Sequence, residues 1–556
     1  VKSLQAALLV ALAPWAAQSA GAPPEGAGTI LQQIQPVTPP APSSTGTGLQ
    51  IEQTGPGELP PTAAFPVTTI RISGNTLFDA ETLHALVADG EGKNLTLPQL
   101  GELAARITEY YRAHGYPLAR AIVPAQTIRD GLIDVQVIEA RFGKILLDNR
   151  SRVTDPLLRD VFANLKGNAP IEESSLNRAL LLLSDIPGIA VNATLKPGDT
   201  AGTSDLQVEA ESGAAVTGNV TLDNYGNPLT GRERAGATLS LVDPLRHGDV
   251  LTVSGLTTGN EMRYGRIAYE WLLNGMGTRL GGSYSALHYA LGGAFAPLQV
   301  KGTAQVDSLW TRHPFIRGQN ANLFGQIEYD RKELRDHIDV SGISTDRHLG
   351  NWVASLIGDA RDALFLSGAV NTWSLGWTSG RVTFDNAAAQ LADAATAKTQ
   401  GGFSKLNGSF ARLQGLSPNN ALYLSVSGQW TNGNLDPSEK MIAGGPYSVR
   451  AYDTAAVSGD MGLLATAEFR RDLGSALQGQ WQAMAFADRA RITVNKIPFA
   501  AGTNSATLSG LGVGLNWTGP SHWATKAYVA TPVGSIPALV GATKSSRLWV
   551  EISKGF

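Results

Sequence analysis

Leu422-Tyr423-Leu424-Ser425-Val426-Ser427-Gly428-Gln429-Trp430 changes character at almost every residue. Leu422, Leu424, Val426 and Trp430 form an apolar face, and Tyr423, Ser425, Ser427 and Gln429 a more polar one. Successive side chains of a strand point to opposite sides, so this stretch reads as a strand with one oily and one wet face. The same split appears in Leu463, Ala465, Ala467 and Phe469 against Thr466, Glu468 and Arg470. It returns in Leu548, Val550 and Ile552 against Arg547, Glu551 and Ser553. A soluble sandwich also alternates. The deciding feature is persistence: from Gly213 to the last residue helical periodicity is absent, and each apolar face is only about five side chains long, which fits tilted membrane strands of ~9–11 residues. At ~20 residues per strand and turn, the segment holds about sixteen strands. The expected fold is therefore a transmembrane β-barrel of about sixteen antiparallel strands with a polar lumen, preceded by smaller α/β units. Its 62 Gly, well above the usual share of ~7%, let strands bend and approach closely. The chain closes on Leu548-Trp549-Val550-Glu551-Ile552-Ser553-Lys554-Gly555-Phe556, an alternating strand whose terminal aromatic, Phe556, is a candidate barrel assembly signal.

The rest of the chain has a different texture. Lys2, the apolar run from Leu4 to Trp15 and the small residues Ala17-Gln18-Ser19 or Ala20-Gly21-Ala22 lay out a secretory signal peptide over 1–22. Residues 23–65 have linker composition, rich in Pro, Gly, Ser, Thr and Gln. Within them Ile30-Leu31-Gln32-Gln33-Ile34 is compatible with one short helix or with none, since five residues are marginal. Elsewhere no run approaches the ~20 apolar residues of a spanning helix. Lys+Arg 44 against Asp+Glu 47 leaves a net charge of −3 and no basic field for nucleic acid. The absence of cysteine removes thiolate metal sites, disulfides and thiol nucleophiles together. His288, His313 and His522 are scattered, and neither a His-Glu-x-x-His helix nor a Gly-x-Ser-x-Gly elbow occurs. No catalytic residue, metal or cofactor is expected, and the chain reads as a non-enzyme.

Residues 66–141 and 142–212 repeat one order, β-α-α-β-β. In the first copy Val67, Thr69, Arg71 and Ser73 alternate with Thr68, Ile70 and Ile72. A helix with Leu83, Leu86 and Val87 follows, then a second that opens on the capping pair Thr96 and Gln99. That second helix carries the stripe Leu100, Leu103, Ile107, Tyr110 and Tyr111 and stops at Gly115. Strands at 118–123 and 132–138 complete the copy. The second copy runs from a strand at 144–147 through helices bearing Leu158, Val161, Phe162 and Leu165, then Leu176, Leu180 and Leu183, to strands at 190–195 and 205–210. Two tandem modules of ~75 residues suit a repeated adaptor better than a catalytic fold.

Several motifs carry a resemblance. Val123-Pro124-Ala125-Gln126-Thr127-Ile128-Arg129-Asp130-Gly131-Leu132 is a strand-turn-strand, and Glu139-Ala140 follows its second strand. Asp223-Asn224-Tyr225-Gly226, Thr230-Gly231, Arg234 and Val242-Asp243-Pro244-Leu245-Arg246-His247-Gly248-Asp249 read as a first barrel hairpin, although Asn, Gly and Pro would serve any hairpin as turn formers. Val449-Arg450-Ala451-Tyr452 follows the glycine turn Gly444-Gly445-Pro446, and Phe486-Ala487-Asp488-Arg489-Ala490 lies on a later strand. Together these resemble the two-partner secretion transporters, also called hemolysin secretion/activation proteins, of the outer membrane protein assembly superfamily. The resemblance implies a signal peptide (1–22), a plug helix and linker (23–65), two polypeptide-transport-associated (POTRA) modules (66–141 and 142–212) in the periplasm, and a barrel (213–556) in the Gram-negative outer membrane. It implies that Val449, Arg450, Ala451 and Tyr452 form the tip of a long loop folded into the lumen, with Arg450 paired to Asp488 beside Phe486 on the barrel wall. Ala451 and Ala490 stand where the family has glycine. A guanidinium in a pore needs a carboxylate, and Glu468 on a polar face is a second candidate partner. The implied partners are a secreted exoprotein with an N-terminal secretion domain, outer-membrane lipid and the barrel assembly machinery, with no nucleic acid. An insertase of the same superfamily and a passive porin are the competing readings.

Overall fold

The computed structural model describes residues 25–34, 46, 48–51 and 60–556, apart from 166, 366 and 542. The expected signal peptide lies outside these residues. Among them, sixteen strands close into one antiparallel barrel, each pairing with its neighbour in sequence and the last, Arg547–Gly555, pairing back on the first, Val216–Asp223. The alternation sets the two surfaces. Leu424, Val426, Trp430, Leu463, Phe469, Leu548 and Ile552 are exposed on the outside, whereas Gln429, Glu468, Arg547 and Glu551 are buried inside. An exterior this apolar is stable only against lipid.

Two expectations are corrected. Some strands have the length a bilayer demands, such as Arg234–Val242 (nine residues) and Met262–Leu272 (eleven), but others run well beyond it, to twenty in Ile343–Asp362. The long ones, including Val300–Arg317, Ala321–Ile338 and Ile343–Asp362, extend at the end of the barrel far from the α/β units. There the outward residues turn polar, with Arg331 bonded to Glu333 at 2.8 Å. The barrel segment also contains a helix, Ala387–Ala395, in a far-end loop, capped by Asn386. Its alanine-rich sequence has high helix propensity but no long apolar stripe to betray it.

The two α/β units sit at the near end. In the first, Thr69–Ser73, Leu132–Ile138 and Arg120–Ile122 form a three-stranded sheet covered by helices Ala80–Ala85 and Leu97–Ala113. Thr96 and Gln99 make the reciprocal capping box, and Gly115 adopts φ 88° beyond the helix. Glu139 is buried and accepts the backbone N–H groups of Thr76 (2.6 Å) and Leu77 (2.8 Å) and the Tyr111 hydroxyl (2.8 Å). Burial pushes its carboxyl up, but these donors outweigh burial and hold it below the ordinary carboxylate range. Glu139→Gln should lower the stability of this unit by about 1.5–3 kcal/mol, because an amide NH₂ then faces donors. The lowered folded value makes the difference complete above pH ~4.3 and progressively lost as the pH falls through it. Urea-induced proteolytic susceptibility of the full chain at pH 7 and pH 3 checks this; equal midpoints at pH 7 would refute it.

The second unit packs helices Asp155–Val161 and Glu173–Ser184 on strands Arg141–Arg150, Ile189–Pro197 and Thr203–Ser212. It docks directly on the near rim of the barrel. Asp185 receives two bonds from Arg317, each 2.7 Å, and Asp160 accepts the Gly275 N–H at 2.6 Å.

Candidate functional site in the barrel lumen

Between the strands Asn420–Thr431 and Met461–Ala476 the chain makes a long far-end loop, 432–460, which turns back into the barrel instead of standing out in solvent. A short hairpin, Met441–Ala443 with Val457–Gly459, forms its stem. Gly444 and Gly445 have φ 105° and 102°, and a Cβ on Gly444 would lie 2.2 Å from the Asp453 carbonyl oxygen. Only glycine makes this turn, which aims the tip at the wall.

Arg450 is the centre of that tip. Its Nε and Nη2 meet the two Asp488 oxygens at 2.8 and 2.7 Å, and its Nη1 meets Glu468 at 2.7 Å. Its backbone N–H also donates to Asp488, at 3.1 Å. Thr466 donates to Asp488 (3.0 Å) and Arg470 to Glu468 (2.6 Å), so the remaining carboxylate lone pairs are occupied. The guanidinium stacks 3.4 Å from the centre of the Phe486 ring. Both carboxylates expected as partners are thus engaged at once. A planar cation held bidentately in a dry site is well satisfied, but removing any member strands a charge.

Val449, Ala451 and Tyr452 are fully buried around it. A Cβ on Gly510 would come within 2.5 Å of the Ala451 Cβ, so a glycine in the wall leaves the room that Ala451 fills. Ala490 on the wall is also completely buried in this cluster. The tip lies beside the seam of the barrel. Trp549 donates its indole N–H to the Arg450 carbonyl at 2.7 Å. Arg547 grips Asp453, Thr454 donates to the Tyr225 carbonyl at 2.7 Å, and Asn224 bonds the backbone at Leu548 and Val550 across the seam, both at 2.9 Å. Phe556 exchanges two 3.0 Å backbone bonds with Gly218, and its half-exposed ring lies against that glycine.

The loop has a second anchorage that sequence reasoning missed. Near its stem Asp436 accepts Arg347 Nε at 2.5 Å, and Glu439 meets Lys332 at 2.6 Å and Lys405 at 2.9 Å. Arg347 also reaches Asp336, at 2.8 Å. Strand parity places these residues on the lumen face, which was the available signal, but it names no partners.

A helix, Ala27–Ile34, occupies the space beside this second anchorage. Ala27, Ile30 and Leu31 pack against the lumen side chains Leu287, Tyr289, Ala304, Leu334 and Leu349. Asp336 receives both the Ala27 N–H (2.7 Å) and the Tyr289 hydroxyl (2.6 Å). Gln32 donates to the Ser438 carbonyl, and a Cβ on Gly28 would lie 2.6 Å from the Ser438 nitrogen. Ile30 through Ile34 therefore belong to a longer helix stabilised by the lumen rather than by its own few hydrogen bonds.

A barrel of this size with POTRA-type modules before it and a loop and helix inside it defines the outer-membrane β-barrel transporters of the two-partner secretion type. The chain belongs to the family described as haemolysin secretion/activation protein ShlB/FhaC/HecB, which it matches over residues 202–517, and residues 65–140 match the ShlB-type POTRA domain. The heme/hemopexin transporter protein HuxB of Haemophilus influenzae strain 86-028NP is 26% identical over 500 residues, covering 88% of this chain and 87% of HuxB. CdiB from Escherichia coli superposes with a TM-score of 0.70 at 20% identity, over 95% of each chain. BamA from Haemophilus ducreyi lacking POTRA domains 1–3 gives 0.51 at 14% identity, over 88% of this chain and 100% of that one. At these identities the two structures speak for the fold alone.

Proposed function

We propose that this transporter takes an unfolded exoprotein in the periplasm through its α/β units and passes it through the barrel to the cell surface, without nucleotide or any catalytic step of its own. The observation that carries the reading is the lumen itself: its contents are a loop and a helix held by side-chain contacts, so both are displaceable without breaking the barrel. Sheet edges at the near rim suit an extended client, because strand addition uses backbone hydrogen bonds and tolerates varied side chains. Folding of the client outside supplies the direction. In this reading Phe556 serves barrel assembly and Arg450 with Asp488 sets the resting loop.

Deleting residues 66–211 tests the proposal against a passive porin. Export of a candidate exoprotein co-expressed with this chain should fall to background while the barrel still assembles in the outer membrane. Export at the wild-type level from the truncated chain would remove the reading.

A further inference from the structure

Two neighbouring strands change chemistry at the same register on the outer surface of the barrel. Along Gly479–Thr493 the outward residues turn from Ala485 and Ala487 to Arg489 and Arg491, and along Ser505–Thr518 they turn from Thr507 and Ser509 to Leu511 and Val513. Arg489 lies opposite Ser509 and Ala487 opposite Leu511, so the apolar belt ends between these two pairs. Two strands away Trp430 is exposed, with the Lys496 ammonium 5.7 Å from its ring centre, the kind of residue that marks the boundary between hydrocarbon and headgroups.

Beneath Arg489 the outer wall carries an open groove of about 480 Å³. Leu424 and Val426 form one side, Leu511 and Val533 the other, and the floor between them is alanine. Such a trough takes a hydrocarbon chain in close contact on three sides. Neither Arg489 nor Arg491 has an ion-pair or hydrogen-bond partner among the described residues, and the residues opposite them are Leu463, Ala465, Thr507 and Ser509. Asp488 and Glu468 on these strands point the other way, into the lumen, where Arg450 holds both. Two unpaired guanidiniums ~7 Å apart on one face repel each other, and an anion between them relieves both.

We propose that this groove is a lipid-binding site in which Arg489 and Arg491 hold phosphate and the trough holds an acyl chain, and that its occupant is the phosphorylated glycolipid of the outer leaflet. The choice of leaflet rests on the transport reading above, which turns the far end to the cell surface. Guanidinium forks match phosphate oxygens bidentately. The arginine stems lie against the apolar surface while their heads lift to headgroup level. Beside them the Thr507 and Ser509 hydroxyls both donate and accept, which suits the hydroxyls of a sugar. Charge alone would attract any anionic surface, whereas charge at the head of a trough selects a molecule that carries phosphate and hydrocarbon together.

The probe is diphosphorylated, hexa-acylated lipid A, titrated onto the purified full-length chain in detergent, with bound lipid counted by native mass spectrometry. Arg489→Ser/Arg491→Ser should weaken binding about tenfold or more, because two charge-assisted contacts are lost. Ala487→Phe, which fills the trough and leaves both arginines in place, should weaken it comparably. Arg331→Ser/Arg335→Ser removes the same charge from another exposed part of the far end, where Glu333 is the partner, and should leave the affinity unchanged. All variants are compared as folded barrels, judged by their mobility on unheated gels. Wild-type affinity in Arg489→Ser/Arg491→Ser, or an equal loss in Arg331→Ser/Arg335→Ser, overturns the site. Dephosphorylated lipid A or phosphatidylglycerol bound as tightly as lipid A overturns the assignment of its occupant. A dimer in sedimentation that Ala487→Phe abolishes, in a chain that binds no lipid A, would make the groove a contact between copies instead. Export does not enter these readouts, so a wild type that exports nothing fails the transport reading while the affinities still decide the site.

Discussion

Arg450→Ala is expected to abolish export, or reduce it to a small residue, while the barrel still reaches the membrane. The substitution leaves buried Asp488 without a cation, while Glu468 keeps only Arg470. Stranding buried charges in this way costs about 3–5 kcal/mol, to which loss of the Phe486 stacking adds about 1 kcal/mol. The tip then has no reason to stay at the wall, and Val449, Ala451 and Tyr452 lose their seat with it. Arg450→Lys should rescue only part, since an ammonium cannot meet Asp488 bidentately and reach Glu468 at once. Secretion assays on the three proteins at matched barrel levels read this out. Wild-type export from Arg450→Ala would mean that the lumen tip is dispensable.

Ile30→Asp should open the resting channel. Ile30 is completely buried against lumen side chains, and an unpaired carboxylate placed there costs several kcal/mol. A penalty of even ~3 kcal/mol shifts the helix between seated and unseated by more than about a hundredfold, more than an eight-residue helix recovers from its own bonds. In planar bilayers the variant should therefore show a conductance several times that of the wild type, most of the time. Indistinguishable traces would show that the helix is not the obstruction.

These two sites differ in how far the sequence reveals them. Leu422 through Trp430 could be oriented from alternation alone, because lipid outside and polar atoms inside write opposite chemistry on successive residues. Arg450 and Asp488 were legible through motif resemblance, as a charge in search of a buried counter-charge. Asp436 and Arg347 were not, because their 89-residue separation leaves no local pattern. Leu49–Ile51 was invisible for a related reason: its strand conformation is supplied by Ile189–Pro197 and not by its own residues. The helix Ala27–Ile34 stood in between, with an apolar run to suggest it and only the lumen to stabilise it.

The loop's anchorages have a mechanical consequence. Arg347 lies on the eighth barrel strand and Arg547 on the sixteenth, half the ring apart, and they hold Asp436 and Asp453 of the same loop. The loop is therefore a crossbar between opposing walls. A hydrogen-bonded sheet resists stretching along its bonds but is soft to flattening, so this strut braces the far end in the direction in which the strands themselves are weakest. Letting go at one wall, of Asp436 with Glu439 on one side or of Arg450 with Asp453 on the other, would allow the mouth to become elliptical without breaking a single strand pairing, and a channel that changes shape in this way could widen in one direction to the girth of a passing chain while staying narrow in the other.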